Sequence, residues 1–174
     1  MRTERQYKSL LKTIVVYENL LAQLSEEEFS QSPPDGGWSY SETYSHIFQS
    51  DLVSLIAAEK CILGTGIHKS SSIHWIAWII LLIGRLPPVK FKAPERIAAM
   101  TTKISREDAR NMMRKFKSRL AEIRPKIKNA DPYQKVRHPR LGFLNAKQWF
   151  RFIEIHTIHH TRQLMRIKAK LKEA

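Results

Sequence analysis

The C-terminal part of the chain constrains the fold most strongly, because its apolar residues recur every three or four positions. This spacing places them on one face of an α-helix, the face that packs against a protein core. The stripe contains Trp149, Ile153, His156, His160, Leu164, Ile167 and Leu171. Two histidines therefore occupy positions where the pattern predicts core residues. Their i, i+4 spacing puts both imidazoles on the same face, one turn apart, where they can share a metal ion.

A buried imidazole needs partners for both ring nitrogens, which ordinary hydrogen bonds or a metal ion can supply. Two histidines alone do not make a metal site, so a third ligand must come from elsewhere in the chain. The candidate is His46, about two turns into a helix predicted to begin at Ser39, where Ser39 and Glu42 form an S-x-x-E capping box. Because this helix is apolar around much of its circumference, its periodicity does not decide which way His46 faces.

Four long helical patterns predict an all-α fold. They cover about residues 5–24, 40–63, 105–129 and 145–170, and the last two begin at capping-box spacings, Ser105 with Asp108 and Asn145 with Gln148. One long connection, after the second helix, predicts a four-helix bundle with a crossover between helices 2 and 3. At 174 residues, the chain is expected to form a single domain, residues 1–174. The inward residues of the third helix are predicted to be Met112, Phe116, Leu120, Ile123 and Ile127.

The crossover contains the most apolar stretch of the chain, Ile73–Gly84. At 1.5 Å per residue this stretch reaches roughly 18 Å, well short of the ~30 Å core of a bilayer. We expect it to form a buried connecting helix, over the end of the bundle or within a homodimer. A helix lying on a membrane surface is the alternative. It is favoured by two tryptophans and three flanking basic residues: Trp75, Trp78, Lys69, Arg85 and Lys90. Residues 87–94, which are rich in proline, are predicted to be extended.

The net charge of +14 makes nucleic acid and anionic membranes candidate partners. The basic residues are spread along the helices, however, and no zinc-finger spacing or RNA-binding aromatic motif accompanies them, so specific nucleic-acid binding is not expected. The single cysteine, Cys61, excludes an internal disulfide and is predicted to be a buried, inert thiol. The N-terminal residues lack the apolar core of a signal peptide, which favours a cytoplasmic protein.

Two motifs resemble those of the DinB/YfiT-like superfamily of metal-binding four-helix bundles. The first is W-S-x-x-E-x-x-x-H, at Trp38, Ser39, Glu42 and His46. The second is H-P-x-x-G-x-x-x-x-x-x-W followed by H-x-x-x-H-x-x-Q, at His138, Pro139, Gly142, Trp149, His156, His160 and Gln163. The resemblance extends from the first helix to about Lys170. It implies that His46, His156 and His160 hold one divalent ion, zinc or nickel, and that His159 is a neighbour of the site.

Three neutral imidazoles leave a divalent ion its full charge and at least one open position, which is the pattern of catalytic zinc sites. Such an ion can acidify a bound water or hold a thiolate. The resemblance implies a metal-dependent hydrolase or a transferase with a low-molecular-weight thiol as cosubstrate, since both occur in the family. The alternative is a non-enzymatic, metal-stabilised bundle that acts as a binding or stress-related module.

Four side chains near the predicted ligands are candidates for supporting roles. Asp51 is a candidate to orient a ligand imidazole or to pair with a cation, and Gln163 is a candidate to reach the site or to orient a ligand from outside it. Glu154 lies two positions before His156 and should point away from it, whereas His159 is expected at the surface. The sequence predicts no catalytic residue beyond the metal ligands.

Overall fold

The computed structural model describes residues 2–34, 36–71, 73–87 and 101–172. This part of the chain forms six helices and three short strands. In chain order they are α1 (Arg2–Gln23), α2 (Glu26–Ser30), α3 (Tyr40–Ile62), β1 (Ile67–His68), α4 (Trp75–Ile83), α5 (Arg106–Ile127), β2 (Gln134–His138), β3 (Gly142–Asn145) and α6 (Ala146–Lys172).

The four long helices, α1, α3, α5 and α6, form a bundle in which α1 and α3 each pack against both α5 and α6. Their inward faces carry a continuous apolar core that is rich in aromatic rings. Tyr17 lies at its centre, where its hydroxyl donates to the carbonyl of Thr157 at 2.6 Å and its carbonyl accepts from the hydroxyl of Tyr44 at 2.8 Å. These bonds tie α1 to both α6 and α3. The predicted all-α four-helix bundle is therefore confirmed.

The helices begin where local hydrogen bonds satisfy their first amide groups. Ser39 and Glu42 make both bonds of a capping box at the start of α3, and Ser105 with Asp108 does the same for α5. At the start of α6, the side-chain oxygen of Asn145 accepts from the amide of Gln148 at 3.0 Å, and the reciprocal bond is 2.9 Å. All three predicted helix starts are confirmed.

The inward face of α5 differs from the prediction by one residue. Met113 is buried and Met112 is only half-buried. The buried residues then recur at alternating steps of three and four, which matches a helix packed in a bundle. They are Ala109, Met113, Phe116, Leu120, Ile123 and Ile127.

A small antiparallel sheet, in the order β1-β2-β3, joins the end of α3 to the start of α6. No strand was predicted from the sequence, so the sheet is a new finding. Leu144 on β3 is fully buried and pairs with Val136 on β2. Because β3 runs directly into α6, the sheet holds the last residue of β2, His138, beside the first turns of that helix.

The apolar crossover helix, α4, is buried on only one face. Ala77, Ile80 and Leu81 face inward, and Arg151 of α6 fastens the helix by donating from Nε to the carbonyl of Leu81 at 3.1 Å. The other residues of α4 are exposed in the single chain, so the bundle itself buries only one face of the predicted connecting helix. Burial in a homodimer and contact with a membrane surface stay predictions. The predicted extended segment lies beyond Pro87 outside the described residues.

None of the helices in the described part of the chain combines the length and the apolar character needed to span a membrane.

Candidate metal centre

The three histidines predicted as ligands come together between α3 and α6. His46, His156 and His160 each present a ring nitrogen, and these atoms all lie within 4.8 Å of one another. The ring centroids are 4.5 Å apart for His156 and His160, 4.9 Å for His46 and His160, and 5.4 Å for His46 and His156. Each residue is at most 9% exposed. One ion can therefore contact a nitrogen of every ring.

Two side chains fix the orientation of the rings on α6. The Nδ1 of His156 lies 2.8 Å from Oδ1 of the fully buried Asp51, and Oδ2 of Asp51 accepts from the hydroxyl of Thr157 at 2.8 Å. The Nδ1 of His160 lies 2.7 Å from Oε1 of Gln163. Both partner oxygens are acceptors, so both Nδ1 atoms carry a proton. Asp51 and Gln163 thus occupy the orienting positions that the sequence analysis had left open.

These hydrogen bonds leave the Nε2 atoms of His156 and His160 facing each other at 3.1 Å. With Nδ1 protonated, the Nε2 of a neutral imidazole is a bare lone pair, and two facing lone pairs repel unless a positive centre lies between them. A proton shared between the Nε2 atoms of His156 and His160 would remove this repulsion but would leave the His46 ring without a partner. A metal ion satisfies all three, so the donor set fits a divalent ion.

The third ring of the cluster is that of His46, and the environment of this ring is the strongest evidence that it belongs there. Its Nδ1 is buried without a hydrogen-bond partner among the described residues. Burial, together with the nearby His156, lowers the pKa of His46 to about 3, which keeps the ring neutral and available as a ligand. The same causes, in the same order, lower the pKa of His160 well below its usual value. Trp38, from the loop before α3, lies against the His46 ring at a centroid distance of 4.9 Å.

An aromatic wall closes one side of the cluster. Phe152 stacks on His156 at 5.5 Å, and His138 meets the Phe152 ring edge-on at 4.5 Å. The Nδ1 of His138 accepts from the backbone amides of Arg140 and Leu141 at 3.1 and 3.0 Å, so its proton is on Nε2. Sequence reasoning assigned His138 no role, although the H-P-x-x-G motif contained it.

Of the other two candidates, Glu154 lies where it was expected, whereas His159 is less exposed than expected. Glu154 turns away from the cluster and pairs with Arg151, beside α4. His159 is half-buried, and its ring contacts that of His160 at 5.2 Å without joining the group of three. Cys61, far along α3, is buried, and its pKa is raised to about 11 by burial, which agrees with an inert thiol.

We expect His138 to make the metal-free protein less stable in acid. Its pKa is lowered from 6.5 to about 4, mainly by burial and to a smaller extent by the charges of His156 and Arg140. As the pH falls, His138 is therefore protonated in the unfolded chain before it is protonated in the folded one. Its contribution to the free energy of unfolding is fully present above about pH 6.5 and is lost as the pH falls towards 4. The loss should be about 1 kcal/mol per pH unit in this window. Urea unfolding of chelator-treated protein at several pH values measures it.

The matched variant is His138→Asn, because an asparagine oxygen can still accept from the two amides but does not titrate. Its pH profile should be flatter than that of the parent protein below pH 6.5 and parallel to it above pH 7. Equal slopes in the two proteins throughout the acid range would show that His138 does not cause the loss.

Comparisons with known proteins were made on the sequence and on the fold. The model of the DinB superfamily matches residues 10–164. Among solved structures, YfiT from Bacillus subtilis superposes with a TM-score of 0.63 at 11% sequence identity, covering 98% of this chain and 87% of that one. Its structure is described as a probable metal-dependent hydrolase with an unusual four-helix bundle topology. The four-helix bundle protein TT2238 has a TM-score of 0.47 at 16% identity, covering 95% of this chain and 97% of that one. No curated protein matches the sequence.

Proposed function

This chain belongs to the DinB superfamily, and from that premise we propose that it is a metal-dependent hydrolase in which His46, His156 and His160 hold one divalent ion. The observation that carries the proposal is the pair of Nε2 atoms facing each other at 3.1 Å, with the Nδ1 protons already directed to Asp51 and Gln163. The description of YfiT as a probable metal-dependent hydrolase supports the same class of activity.

A divalent ion with three neutral imidazole ligands supplies a Lewis acid with an open position, able to polarise a carbonyl and acidify a water. The residues around the ligands prepare the site for this ion. Asp51 and Gln163 hold two rings in the tautomer that exposes Nε2, and burial keeps His46 and His160 unprotonated. The aromatic wall of Phe152 and His138 covers one side of the His156 ring.

To His138, in this wall, we assign the orientation of a substrate. Because two backbone amides occupy Nδ1 of His138, its Nε2–H remains the free hydrogen-bonding atom of the ring. A donor of this kind can orient a carbonyl oxygen. Both oxygens of Asp51 are engaged, one by His156 and one by Thr157, so Asp51 acts as a positioning residue rather than as a base.

Turnover of a panel of ester and amide substrates by zinc- and nickel-loaded protein tests the proposal. We expect hydrolysis that chelator abolishes and that His160→Ala lowers at least about 100-fold, since the loss of one protein ligand removes the catalytic ion. The variant His159→Ala, one residue away but outside the group of three, is the matched control and should keep most of the activity. Loaded protein that stays inert on the panel would contradict a hydrolase.

A second candidate is a transferase in which the ion holds a low-molecular-weight thiol. The engagement of both Asp51 oxygens favours it, because a thiolate needs no carboxylate base at the site. Adding a thiol and an electrophile to the same loaded protein distinguishes the two, since only a transferase consumes both reagents. Metal binding with neither activity would indicate a non-enzymatic bundle.

A further inference from the structure

Among the described residues, six of the exposed large apolar side chains lie together on the outward face of α4, and the bundle does not explain them. All nine residues of this helix are apolar. Ala77, Ile80 and Leu81 point inward, and the other six are exposed by 36–65%. They are Trp75, Ile76, Trp78, Ile79, Leu82 and Ile83. A surface helix normally presents polar side chains to water, so a continuous apolar patch of this kind marks a contact with another apolar phase.

The charges around α4 distinguish a lipid surface from a second copy of the chain. No aspartate or glutamate occurs between Glu59 and Glu95, whereas this interval contains five lysines and arginines. Arg85 follows the helix directly and is exposed. Two identical copies that met through α4 would bring the same positive charges together, and each copy already carries a net charge of +14. Anionic lipid headgroups would attract them.

Helix α6, against which α4 packs, also carries exposed basic residues. Arg151 contacts α4, and Arg162 lies eleven residues further, about three turns along the same side of α6. Arg162 and Arg166 are exposed, and so is Met165 between them. Along the whole of α6, seven lysines and arginines stand against one acid, Glu154, which is buried against Arg151. The exposed charge on this helix is therefore positive.

We propose that the outward face of α4, together with the exposed Arg85, Arg162 and Arg166, binds the surface of an anionic lipid bilayer. The helix lies in the plane of the interface, because nine residues are too short to cross the hydrocarbon core. Trp75 and Trp78 suit this position, since the indole ring favours the boundary between headgroups and acyl chains. The basic residues contact the headgroups while the apolar face enters the outer part of the acyl region.

Co-sedimentation with vesicles of phosphatidylcholine, with and without phosphatidylglycerol, tests the proposal. The protein should bind the anionic vesicles, bind the neutral ones at least about tenfold more weakly, and lose affinity as salt rises. The double variant Trp75→Ser/Trp78→Ser should lose more than about tenfold in affinity. Arg162→Gln/Arg166→Gln should lose about fivefold for each arginine. The tryptophan fluorescence of the parent protein should shift to the blue on binding.

The matched control is Val53→Ser/Ile56→Ser, which removes a similarly exposed apolar pair from α3 and should bind like the parent. Circular dichroism of every variant checks the fold, which should survive because the replaced side chains are exposed. Equal binding to neutral and anionic vesicles, or undiminished binding by the tryptophan variant, would overturn the proposal. So would a stable dimer that ignores vesicles and is split by the tryptophan substitutions, since a second copy would then cover α4.

Discussion

Protein loaded with zinc or nickel and freed of unbound ions should retain about one divalent ion per chain, and the variant His156→Ala should retain almost none. The reason lies in the geometry of the cluster. Three ring nitrogens lie within 4.8 Å of one another, and the loss of one leaves a pair of ligands too weak to compete with water and buffer. Elemental analysis of the purified proteins measures the content. We expect the loss of affinity to exceed the roughly 10–100-fold that removing an outer hydrogen bond costs.

His159→Ala is the control for this experiment, because its ring touches that of His160 but lies outside the group of three. It should retain the ion. The triple variant His46→Ala/His156→Ala/His160→Ala gives the decisive result, since stoichiometric metal in that protein would mean that the ion binds elsewhere. Circular dichroism shows whether each variant is folded before its metal content is compared.

Asp51→Ala should weaken metal binding by about 10–100-fold while leaving all three ligands in place. Asp51 is fully buried, and its Oδ1 holds the Nδ1 proton of His156 at 2.8 Å. Without that acceptor, the ring is free to rotate or to change tautomer, and Nε2 no longer points at the ion in every molecule. Competition with a chelator of known affinity measures the change.

Thr157→Val separates this effect from a general loosening of the core. It removes the hydroxyl that donates to Oδ2 of Asp51 at 2.8 Å but leaves the bond from Asp51 to His156. Its metal affinity should fall much less than that of Asp51→Ala. If Asp51→Ala binds metal as tightly as the parent protein, the orientation of His156 must come from packing alone.

Much of the fold could be predicted because its signals are local. The capping boxes at Ser39, Ser105 and Asn145 each involve residues three positions apart, and each helix begins where its box predicts. Apolar periodicity then identified the four long helices, although it did not show which of them are neighbours. The family match over residues 10–164 confirms the resemblance seen in the motifs. One inward position on α5 was misplaced, Met112 for Met113, because the two adjacent methionines fit the pattern almost equally well.

The sheet could not be predicted, because its strands are short and lack alternation. β1 has two residues, both exposed, and β2 carries the buried Lys135, whose ammonium group donates to the carbonyl of Ser71. The position of α4 was hidden for a different reason. A helix that is apolar all round has no periodicity to show which face is inward, so only the packed structure separates Ile80 from Ile76.

The grouping of the three histidines was predictable from the sequence, whereas their hydrogen-bond partners were not. The i, i+4 spacing of His156 and His160 and the two motifs identify the three histidines. The bond from His156 to Asp51, however, joins residues 105 positions apart and depends on how α3 and α6 rotate against each other. Sequence spacing within one helix carries no information on that rotation.

Two different sides of helix α6 are used. On one side Arg151 contacts α4, and on another His156 forms part of the histidine cluster. Five residues separate the two, which is a rotation of roughly 140° about the helix axis. A protein that rests on lipid through α4 therefore turns its histidines away from the bilayer, with a helix about 10 Å thick between them. Molecules would arrive at the cluster from the water side, which favours polar compounds dissolved near the membrane over the lipids within it.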